Sequence, residues 1–484
     1  MRILLVSSVI GQLLRSFSVA FALPLLLALF DGDNLSALSF AVAGGLCWGV
    51  GALASMGFTR PRVLFRAEAL AIVALSWLAL SMISAVPYLF HGLTLLNALF
   101  ESMSGLTTTG ATILTDFDQP RAFFLGRAMT QWVGGLGIIA LFVVVLPRLG
   151  IAGRQIFFAE ASSAPSEAVT PQVKQAARWL WLLYVVLTGI CAVLLMVFGM
   201  SLFEAVCHSM TTLAAGGFSP NGESILGYHS PGIEWVLVVF MFLSGASYPL
   251  QLKVYTGELL GFFRDGEFLL YLSATFVCIV ALSLVLTGDG VLSADALRLA
   301  AFQITSLGSS TGFASVDFNA WSDSAKAILV CIMVIGGCAG SAAGGPKCVR
   351  YLLVARHILR EFKQVLHPRA VLPLLYNHAA VPAAIMRPVF TLVCLYLFGY
   401  LGLGLVLVII EGDLVLGFSA ALACLGNVGP GFGEAGPMGS FAGFTPLSRG
   451  LLFAAMWIGR LEILTVLALL HPHVWRNLKL SRRA

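Results

Sequence analysis

The stretch "SGLTTTGATIL", Ser104 to Leu114, contains a run of three threonines followed by a glycine and has no charged residue. It lies between two long apolar runs of a 484-residue chain in which 59% of the residues are hydrophobic and only 11% are charged. Soluble globular domains carry roughly 25% charged residues, so the composition indicates an integral membrane protein. In such a chain, a segment of small hydroxyl residues and glycine needs a specific structural reason.

Apolar runs long enough to cross a bilayer, about 17 to 25 residues each, recur along the chain. Because they lack the alternation typical of strands, we predict helices, whose backbone groups are hydrogen-bonded within the segment. No cleavable signal peptide is expected, since the first run is long and no small-residue cleavage pattern follows it. The ten predicted spans lie near residues 8–30, 36–57, 67–90, 122–147, 178–200, 233–252, 268–287, 325–345, 388–410 and 449–471.

Four shorter apolar stretches, each followed by glycine, are predicted to be re-entrant helices. They lie near residues 95–109, 201–215, 297–311 and 415–428. After the first two spans, the order of span, re-entrant helix, glycine-bearing loop and span therefore occurs four times. The loops read "TTTGAT" (107–112), "LAAGGFS" (213–219), "SSTGFAS" (309–315) and "GNVGPGFG" (426–433). The equivalent glycines are taken to be Gly110, Gly216, Gly312 and Gly429, at spacings of 106, 96 and 117 residues.

This repetition explains the opening stretch as one part of a cation pore. Re-entrant helices direct their C-terminal ends, each worth roughly half a negative charge, toward a common axis. The glycine allows backbone conformations closed to other residues, so that carbonyl oxygens can replace a cation's hydration water. Thr108 and Thr109 can add hydroxyl acceptors and support the loop. Several carbonyl sites suit a large monovalent cation such as potassium better than magnesium, which gives up its water reluctantly.

The distribution of charge predicts the orientation. With both termini on one side, 21 of the 28 basic residues share that side, among them Arg60, Arg148, Lys253, the segment 347–387 and the tail 476–483. The positive-inside tendency then places both termini in the cytoplasm. Most acidic residues fall on the opposite face, where they either bias the local field toward cations or are ordinary solvated loop charge. The nine cysteines show no metal-ligand spacing, so neither a disulfide framework nor a zinc site is predicted.

Six motifs spread over the chain carry a family resemblance: "LFESMSGLTTTGAT" (99–112), "GGFS" (216–219), "STGFAS" (310–315), "LGNVGPGFGE" (425–434), "GGCAGSAAGG" (336–345) and "GRLEIL" (459–464). They closely resemble the Trk/Ktr superfamily of potassium transporters, and above all the bacterial Trk membrane subunit. The resemblance implies an all-α polytopic membrane protein of about ten transmembrane helices, with four pseudo-symmetric helix, pore-loop, helix repeats after an N-terminal helix pair. It further implies a homodimer in the bacterial inner membrane that contacts membrane lipid and a cytosolic nucleotide-binding regulatory ring. The transported ion would be potassium. No organic cofactor in this chain and no nucleic-acid partner are expected.

The resemblance also assigns the filter. All four glycines are present, whereas serine at the first position favours sodium in plant relatives, so potassium is expected. Potassium is expected to bind mainly through Thr108, Thr109, Ala215, Gly216, Ser310, Thr311, Asn427 and Val428. The full set of implied filter positions is Thr108, Thr109, Gly110 and Ala111; Ala214, Ala215, Gly216 and Gly217; Ser310, Thr311, Gly312 and Phe313; Asn427, Val428, Gly429 and Pro430.

The domain organisation follows the repeats. The predicted units are an N-terminal two-helix extension (1–62), pore repeats one (63–150), two (171–262), three (265–365) and four (380–475), and a basic cytoplasmic tail (476–484). The cytoplasmic connections are too short for a nucleotide-binding domain of about 150 residues, so nucleotide control would come from another chain. The basic segment 347–369 either docks such a chain or anionic headgroups, or is an ordinary positive-inside anchor.

The eighth span is interrupted by glycine and proline, which cannot hold a regular helix. Close helix packing through small residues is one interpretation, and the family resemblance favours a movable gate loop beneath the filter. The sequence "SAAGGP" stands where relatives often have a threonine and three glycines, which leaves the gating energetics open. The gate-loop positions are Gly336, Gly337, Gly340, Gly344 and Gly345.

Arg460 is a charged residue inside the last span, where a charge costs about 2.5 to 3.5 kcal/mol near a helix centre. It is either one partner of an interhelical salt bridge or, as the family motif implies, a positive pore barrier beside the gate loop. Glu462 is two residues away and should make different contacts, because residues two apart on a helix do not face each other. His208 is expected to be a packing or hydrogen-bonding residue rather than a proton sensor.

The sequence leaves four alternatives to a potassium uptake pore to be compared. A sodium- or proton-coupled carrier usually has ionisable groups at mid-membrane, where only Arg15, Arg460 and Glu462 were expected. A poorly selective potassium and sodium pore remains open on the sequence. An intramembrane enzyme would need a nucleophile, base or metal constellation, which the spans lack, so no enzymatic activity is predicted. A purely structural or receptor role leaves the four glycine loops unexplained.

Overall fold

The computed structural model describes residues 2–56, 66–140, 171–255, 257, 259–377 and 379–472. These residues are mostly helical, as predicted. The ends of the predicted second and fourth spans, the basic residues Arg60, Arg62, Arg148 and Arg154, and the tail from residue 476 lie outside the described residues. The orientation prediction therefore rests on the sequence.

The N-terminal pair is formed by α1 (Ile3–Phe17), α2 (Ala22–Asp31) and α3 (Asn34–Ser55), with a 3-10 turn, Ser18–Phe21, joining the first two. Asp33 begins α3 by accepting hydrogen bonds from the backbone N–H groups of Leu35 and Ser36, which would otherwise lack partners. The two arms pack closely because Gly11 faces Gly51: a Cβ on Gly11 would lie 2.6 Å from the Gly51 carbonyl oxygen. Such contact through small residues is typical of membrane helices.

The remaining helices form four units that each contain a short buried pore helix. The first unit is α4 (Arg66–Ser84), α5 (Val86–Phe90), pore helix α6 (Leu95–Leu106) and α7 (Arg121–Ala140). The second is α8 (Pro171–Val197), pore helix α9 (Leu202–Leu213), α10 (Pro231–Gly245) and α11 (Tyr248–Tyr255). The third is α12 (Gly266–Gly288), pore helix α13 (Ser293–Gly308), α14 (Asp323–Ile335) and α15 (Cys348–Leu366). The fourth is α16 (Ala383–Glu411), pore helix α17 (Leu414–Leu425), α18 (Pro446–Arg460) and α19 (Ile463–Leu470).

Short 3-10 turns and one hairpin complete the described structure. The hairpin pairs β1 (Leu375–Tyr376) with β2 (Ala379–Ala380) in antiparallel register, Leu375 opposite Ala380 and Tyr376 opposite Ala379. It is a small departure from the all-α prediction. The 3-10 turns are Leu226–Tyr228, Leu259–Arg264, Phe318–Ala320, Gly433–Ala435 and Phe441–Gly443.

Each of the ten predicted spans overlaps a helix in the described residues, but several of these helices are broken and the eighth span is helical only as far as Ile335. In the described residues, six helices are long and apolar enough to cross a membrane, and eight if each of two bent pairs counts as one span. The bent pairs are α10 with α11, at 105°, and α18 with α19, at 108°. Helix α14 stops at Ile335, which is where the glycine-rich interruption of the eighth span was predicted.

Burial divides the apolar side chains into two populations. On pore helix α6, Phe100, Met103 and Leu106 are fully buried, whereas Phe276 and Leu284 on α12 are 65% and 70% exposed. A soluble protein rarely exposes such large apolar surfaces. The chain is therefore a multi-pass membrane protein, with outer helices facing lipid and the four pore helices in the interior.

Candidate ion-selectivity site

The four pore helices end in loops of one backbone conformation. In each loop the residue after the helix C-cap is not glycine and yet has a left-handed φ: 52° at Thr108, 54° at Ala215, 58° at Ser310 and 51° at Asn427. L-residues adopt this region at a cost. The next residue donates its N–H to the carbonyl five positions earlier, with a donor to acceptor distance of 2.8 Å in every loop. These bonds are Thr109 to Ser104, Gly216 to Thr211, Thr311 to Ser306 and Val428 to Ala423.

A left-handed glycine follows two residues after each of these positions. Its φ is 84° at Gly110, 75° at Gly217, 81° at Gly312 and 103° at Gly429. The structural equivalent of Gly110 in the second repeat is therefore Gly217, and the prediction of Gly216 was wrong by one residue. Two adjacent glycines made the sequence ambiguous, and the backbone conformation resolves it.

The correction changes the second loop of the proposed filter. Ala214 caps pore helix α9 and corresponds to Thr107, Ser309 and Gly426 in the other repeats. The second segment of the proposed filter is thus Ala215, Gly216, Gly217 and Phe218. The spacings between equivalent glycines become 107, 95 and 117 residues.

The four loops contact one another in a closed ring. A Cβ built on the glycine of one loop would clash with, or lie very close to, the carbonyl oxygen that precedes the glycine of the next loop. The pairs are Gly110 with Gly216, Gly217 with Thr311, Gly312 with Val428, and Gly429 with Thr109, the last at 2.8 Å. The contacts thus link the loops of all four repeats in a closed cycle. Only glycine fits where backbone approaches this closely in a left-handed conformation.

Side chains hold the loops in place from behind. The hydroxyls of Thr107 and Thr109 lie 2.7 Å apart, and those of Ser309 and Thr311 lie 2.8 Å apart. Asn427 donates to the Thr109 hydroxyl over 2.8 Å, joining the fourth loop to the first. Thr109 thus makes the kind of supporting contact expected of Thr108 and Thr109, whereas the buried Thr108 hydroxyl has no hydrogen-bond partner in the described residues.

The second loop is held to α7 by a side chain that the sequence analysis missed. Gln131 donates to the Gly216 carbonyl over 2.7 Å and accepts from the Phe218 N–H over 3.1 Å. An amide offers a donor and an acceptor side by side, so it can bind both edges of one loop. A glutamine within an apolar run of the sequence was the signal that could have indicated this contact.

Pore helices also carry polar groups that hold the segment leaving each loop. His208 is fully buried, and its ring nitrogens lie 2.8 Å from the Glu204 carbonyl oxygen and 3.0 Å from the Ser219 hydroxyl. The structure thus places His208 as the predicted hydrogen-bonding residue. In the fourth repeat, Ser419 accepts from the Phe432 N–H over 2.9 Å.

The glycine-rich segment 336–345 lies against the third and fourth loops. The N–H of Gly344 donates to the Ser310 hydroxyl over 2.5 Å. A Cβ on Gly344 would clash with the Gly426 carbonyl and lie 3.2 Å from the Asn427 carbonyl oxygen. Left-handed φ values of 68°, 75° and 74° at the first, fifth and tenth residues of the segment keep it from forming a regular helix.

The same segment is anchored to broken helices. Its backbone pairs with the break between α10 and α11, through Cys338 N–H to the Gly245 carbonyl at 2.8 Å and Ala342 N–H to the Ser244 carbonyl at 3.1 Å. A buried carboxylate, Glu267 at the start of α12, accepts the N–H of Ala339 over 2.6 Å. These contacts hold the segment in its place beside the filter.

Arg460 donates from Nη1 to the Ala342 carbonyl oxygen over 2.9 Å. It is 4% exposed, and its Nε and Nη2 have no hydrogen-bond partner. In the part of the chain that the structure describes, no carboxylate forms an ion pair with it. Glu462 instead pairs with Arg350, so Arg460 and Glu462 make different contacts, as predicted.

Besides Arg15, Arg460 and Glu462, which the sequence analysis singled out, other ionisable groups lie inside the protein. Arg15 is exposed on the outside of the bundle, and its guanidinium lies 5.7 Å from the Trp48 ring. Glu101, Arg127, Glu267 and Lys347 are all buried near the filter or the gate-loop segment. Arg127 pairs with Glu101, and the Lys347 ammonium donates to the Ala343 carbonyl. Single charges between apolar residues were the signal that could have identified them.

Comparisons with known proteins agree over nearly the whole chain. The family model described as TrkH, cation transport protein, matches residues 46–474. The chain is similar to the Trk system potassium uptake protein TrkH of Escherichia coli strain K12, with 35% identity over 98% of this chain and 99% of the relative. It is 32% identical to the Trk system potassium uptake protein TrkI of Halomonas elongata. The crystal structure of the potassium transporter TrkH from Vibrio parahaemolyticus superimposes with a TM-score of 0.90 and 32% identity, over 98% of this chain and 100% of that one.

Proposed function

The chain belongs to the TrkH family of cation transport proteins, a family of transporters and not of enzymes, and on that premise we propose that it is a potassium uptake protein. Potassium enters through a channel-like pore, down its electrochemical gradient. The four loops around Gly110, Gly217, Gly312 and Gly429 form the selectivity filter, in which backbone carbonyl oxygens replace the ion's hydration shell.

One observation carries this proposal: the closed ring in which each loop glycine contacts the carbonyl preceding the next loop's glycine. A structural packing motif would not require the same strained conformation four times. Left-handed backbone at a non-glycine residue persists only when the surroundings impose it, and such strain is concentrated at functional sites. Four negative helix ends around one axis favour a cation there.

The segment 336–345 is proposed as the gate and Arg460 as a positive barrier beside it. Gly344 touches the carbonyl side of the fourth loop, so movement of this segment changes access to the filter. The guanidinium of Arg460 has donors without partners and is held to the segment through Ala342. A positive charge close to the conduction path raises the energy of a passing cation.

The assembly is proposed from the family. The protein would form a homodimer in the bacterial inner membrane, with both termini cytoplasmic, and would be regulated by a separate cytosolic nucleotide-binding ring. The basic residues of the connections support this orientation. No organic cofactor is needed for conduction, since the filter groups are backbone carbonyls and hydroxyls.

The test is the reversal potential of the purified protein in planar bilayers with potassium on one side and sodium on the other. We expect a value near the potassium equilibrium potential, which collapses in Gly110→Ser. The matched control is Gly92→Ser: Gly92 also has a left-handed φ, of 87°, but no neighbouring atom within 4 Å of its Cβ position. Absence of current, with vesicle uptake that depends on a sodium or proton gradient, would establish a coupled carrier instead.

A further inference from the structure

A buried ion pair lies directly behind the first and second filter loops. Glu101 on pore helix α6 is 0% exposed and Arg127 on α7 is 2% exposed. Arg127 donates to Glu101 Oε1 from Nε over 3.0 Å and from Nη2 over 2.5 Å. Burying two charges carries a large desolvation cost, so a pair at this depth needs further hydrogen bonds to be tolerated.

Glu101 provides such bonds to the segment that leaves the first loop. Its Oε2 accepts the N–H of Ile113 over 3.0 Å, and its Oε1 accepts the Thr112 hydroxyl over 3.0 Å. These two residues follow Gly110 by two and three positions. The carboxylate therefore fixes the position of the first loop relative to α7.

Arg127 makes the matching contacts with the second loop. Its Nη1 donates to the Ser219 carbonyl oxygen over 3.2 Å. Its guanidinium also lies 3.9 Å from the centre of the Phe218 ring, a cation–π contact with the residue that follows Gly217. One side chain thus connects the exits of two neighbouring loops.

On pore helix α13, Arg298 pairs with Glu234 of α10 near the start of the helix, but in the described structure no charged pair on the other pore helices binds the segment that leaves a loop. His208 and Ser419 each bind the segment leaving the loop of their own repeat. The Glu101 and Arg127 pair joins two repeats instead. Its contacts lie behind the loops and not in the pore, so its effect on an ion must pass through loop position.

We propose that Arg127 and Glu101 are positioning residues that set the separation of the first and second filter loops, and thereby the preference for potassium over sodium. This inference rests on the proposed function. Carbonyl coordination distinguishes ions of one charge by the spacing and number of the oxygens. A clamp that holds two of four loops therefore acts on selectivity, and not merely on the amount of folded protein.

Arg127→Lys is the sharpest test, because it keeps the charge that Glu101 needs and removes the fork that reaches the second loop. Lysine is a point charge with a flexible stem and cannot reproduce the planar set of donors. A second variant, Glu101→Gln with Arg127→Gln, removes both charges together and so leaves no unpaired buried charge. It tests the same inference if the lysine variant does not fold.

Arg121→Lys is the matched control. Arg121 lies on the same helix, six residues earlier, and its Nε donates to Asp31 over 3.0 Å, but its side chain is 54% exposed and this ion pair touches neither loop. The same chemical change on the same helix should leave ion selectivity as it is in the unmodified protein.

Two readouts are needed. In bilayers with potassium opposite sodium, we expect Arg127→Lys to lower the permeability ratio of potassium to sodium by roughly fivefold, the scale of one lost hydrogen bond. In detergent, where bound ions stabilise the folded state, the variant should need roughly fivefold more potassium for an equal thermal shift, with the sodium requirement unchanged.

The outcomes separate the two proposals. An unmodified protein without potassium current contradicts the uptake function, while the thermal readout still tests the clamp. A folded Arg127→Lys protein with unchanged ratio and unchanged potassium requirement would overturn the inference. An equal change in Arg121→Lys would also overturn it, because the effect would then be a general property of α7.

Discussion

Gly217→Ala perturbs the filter ring at the position where the structure and the sequence prediction differ. The residue has a φ of 75°, a conformation that costs an alanine about 1 to 2 kcal/mol. The new Cβ would clash with the Thr311 carbonyl oxygen and lie 3.0 Å from the carbon of that carbonyl. Optimal carbon contacts are about 3.5 to 4.0 Å, so the third loop must move by about half an ångström or more.

We expect this displacement to lower the permeability ratio of potassium to sodium by roughly tenfold, which corresponds to about 1.4 kcal/mol between the two ions. The strain should lower thermal stability as well. The assay is the bi-ionic reversal potential in planar bilayers, where a tenfold change in ratio for a monovalent ion shifts the potential by about 59 mV.

Gly412→Ala separates strain from clash. Gly412 ends α16 with a φ of 78° and has no atom within 4 Å of its Cβ position. The variant should lose comparable stability and keep its reversal potential. If Gly217→Ala conducts with an unaltered reversal potential, the assignment of Gly217 to the filter ring is wrong and the argument from carbonyl contact fails with it.

Two further predictions concern the gate. Arg460→Ala should raise rubidium uptake into potassium-loaded vesicles by roughly tenfold, because the repulsion between the guanidinium and each passing cation is removed. Equal or lower flux from a correctly folded variant would argue against a barrier. Gly344→Val should reduce single-channel conductance, because the valine side chain would meet the Gly426 carbonyl. Gly402→Val should conduct normally, because the space around the Cβ position of Gly402 is open. Equal conductance in the two variants would refute a gate at 336–345.

The repeat architecture could be predicted because its signals are local. Hydropathy alone indicates the helices, and a glycine after a short apolar helix marks each pore loop. The four pore helices were located within a few residues of their structural bounds, from Leu95–Leu106 to Leu414–Leu425. The breaks at Gly245 and Leu461 were not predicted, although the small polar residues around Gly245 and the charges of Arg460 and Glu462 interrupt the apolar pattern there.

Side-chain partners could not be predicted in the same way. Gln131 and Arg127 act on the second loop, 85 to 92 residues further along the chain. Hydropathy and spacing describe one segment at a time, so they cannot show which distant backbone group faces a side chain. The exposed position of Arg15 and the buried position of Glu267 were missed for this reason.

The sequence by itself determined that the chain is a membrane protein with four glycine-bearing loops after short apolar helices. Membrane insertion depends on continuous apolar length, and glycine adopts the left-handed backbone at less cost than other residues. Only the tertiary structure decided which of the adjacent residues Gly216 and Gly217 is the left-handed glycine of the ring. Both can adopt the required conformation alone. The choice depends on the Thr311 carbonyl, which the neighbouring repeat brings into contact with Gly217 and which leaves no room there for a side chain.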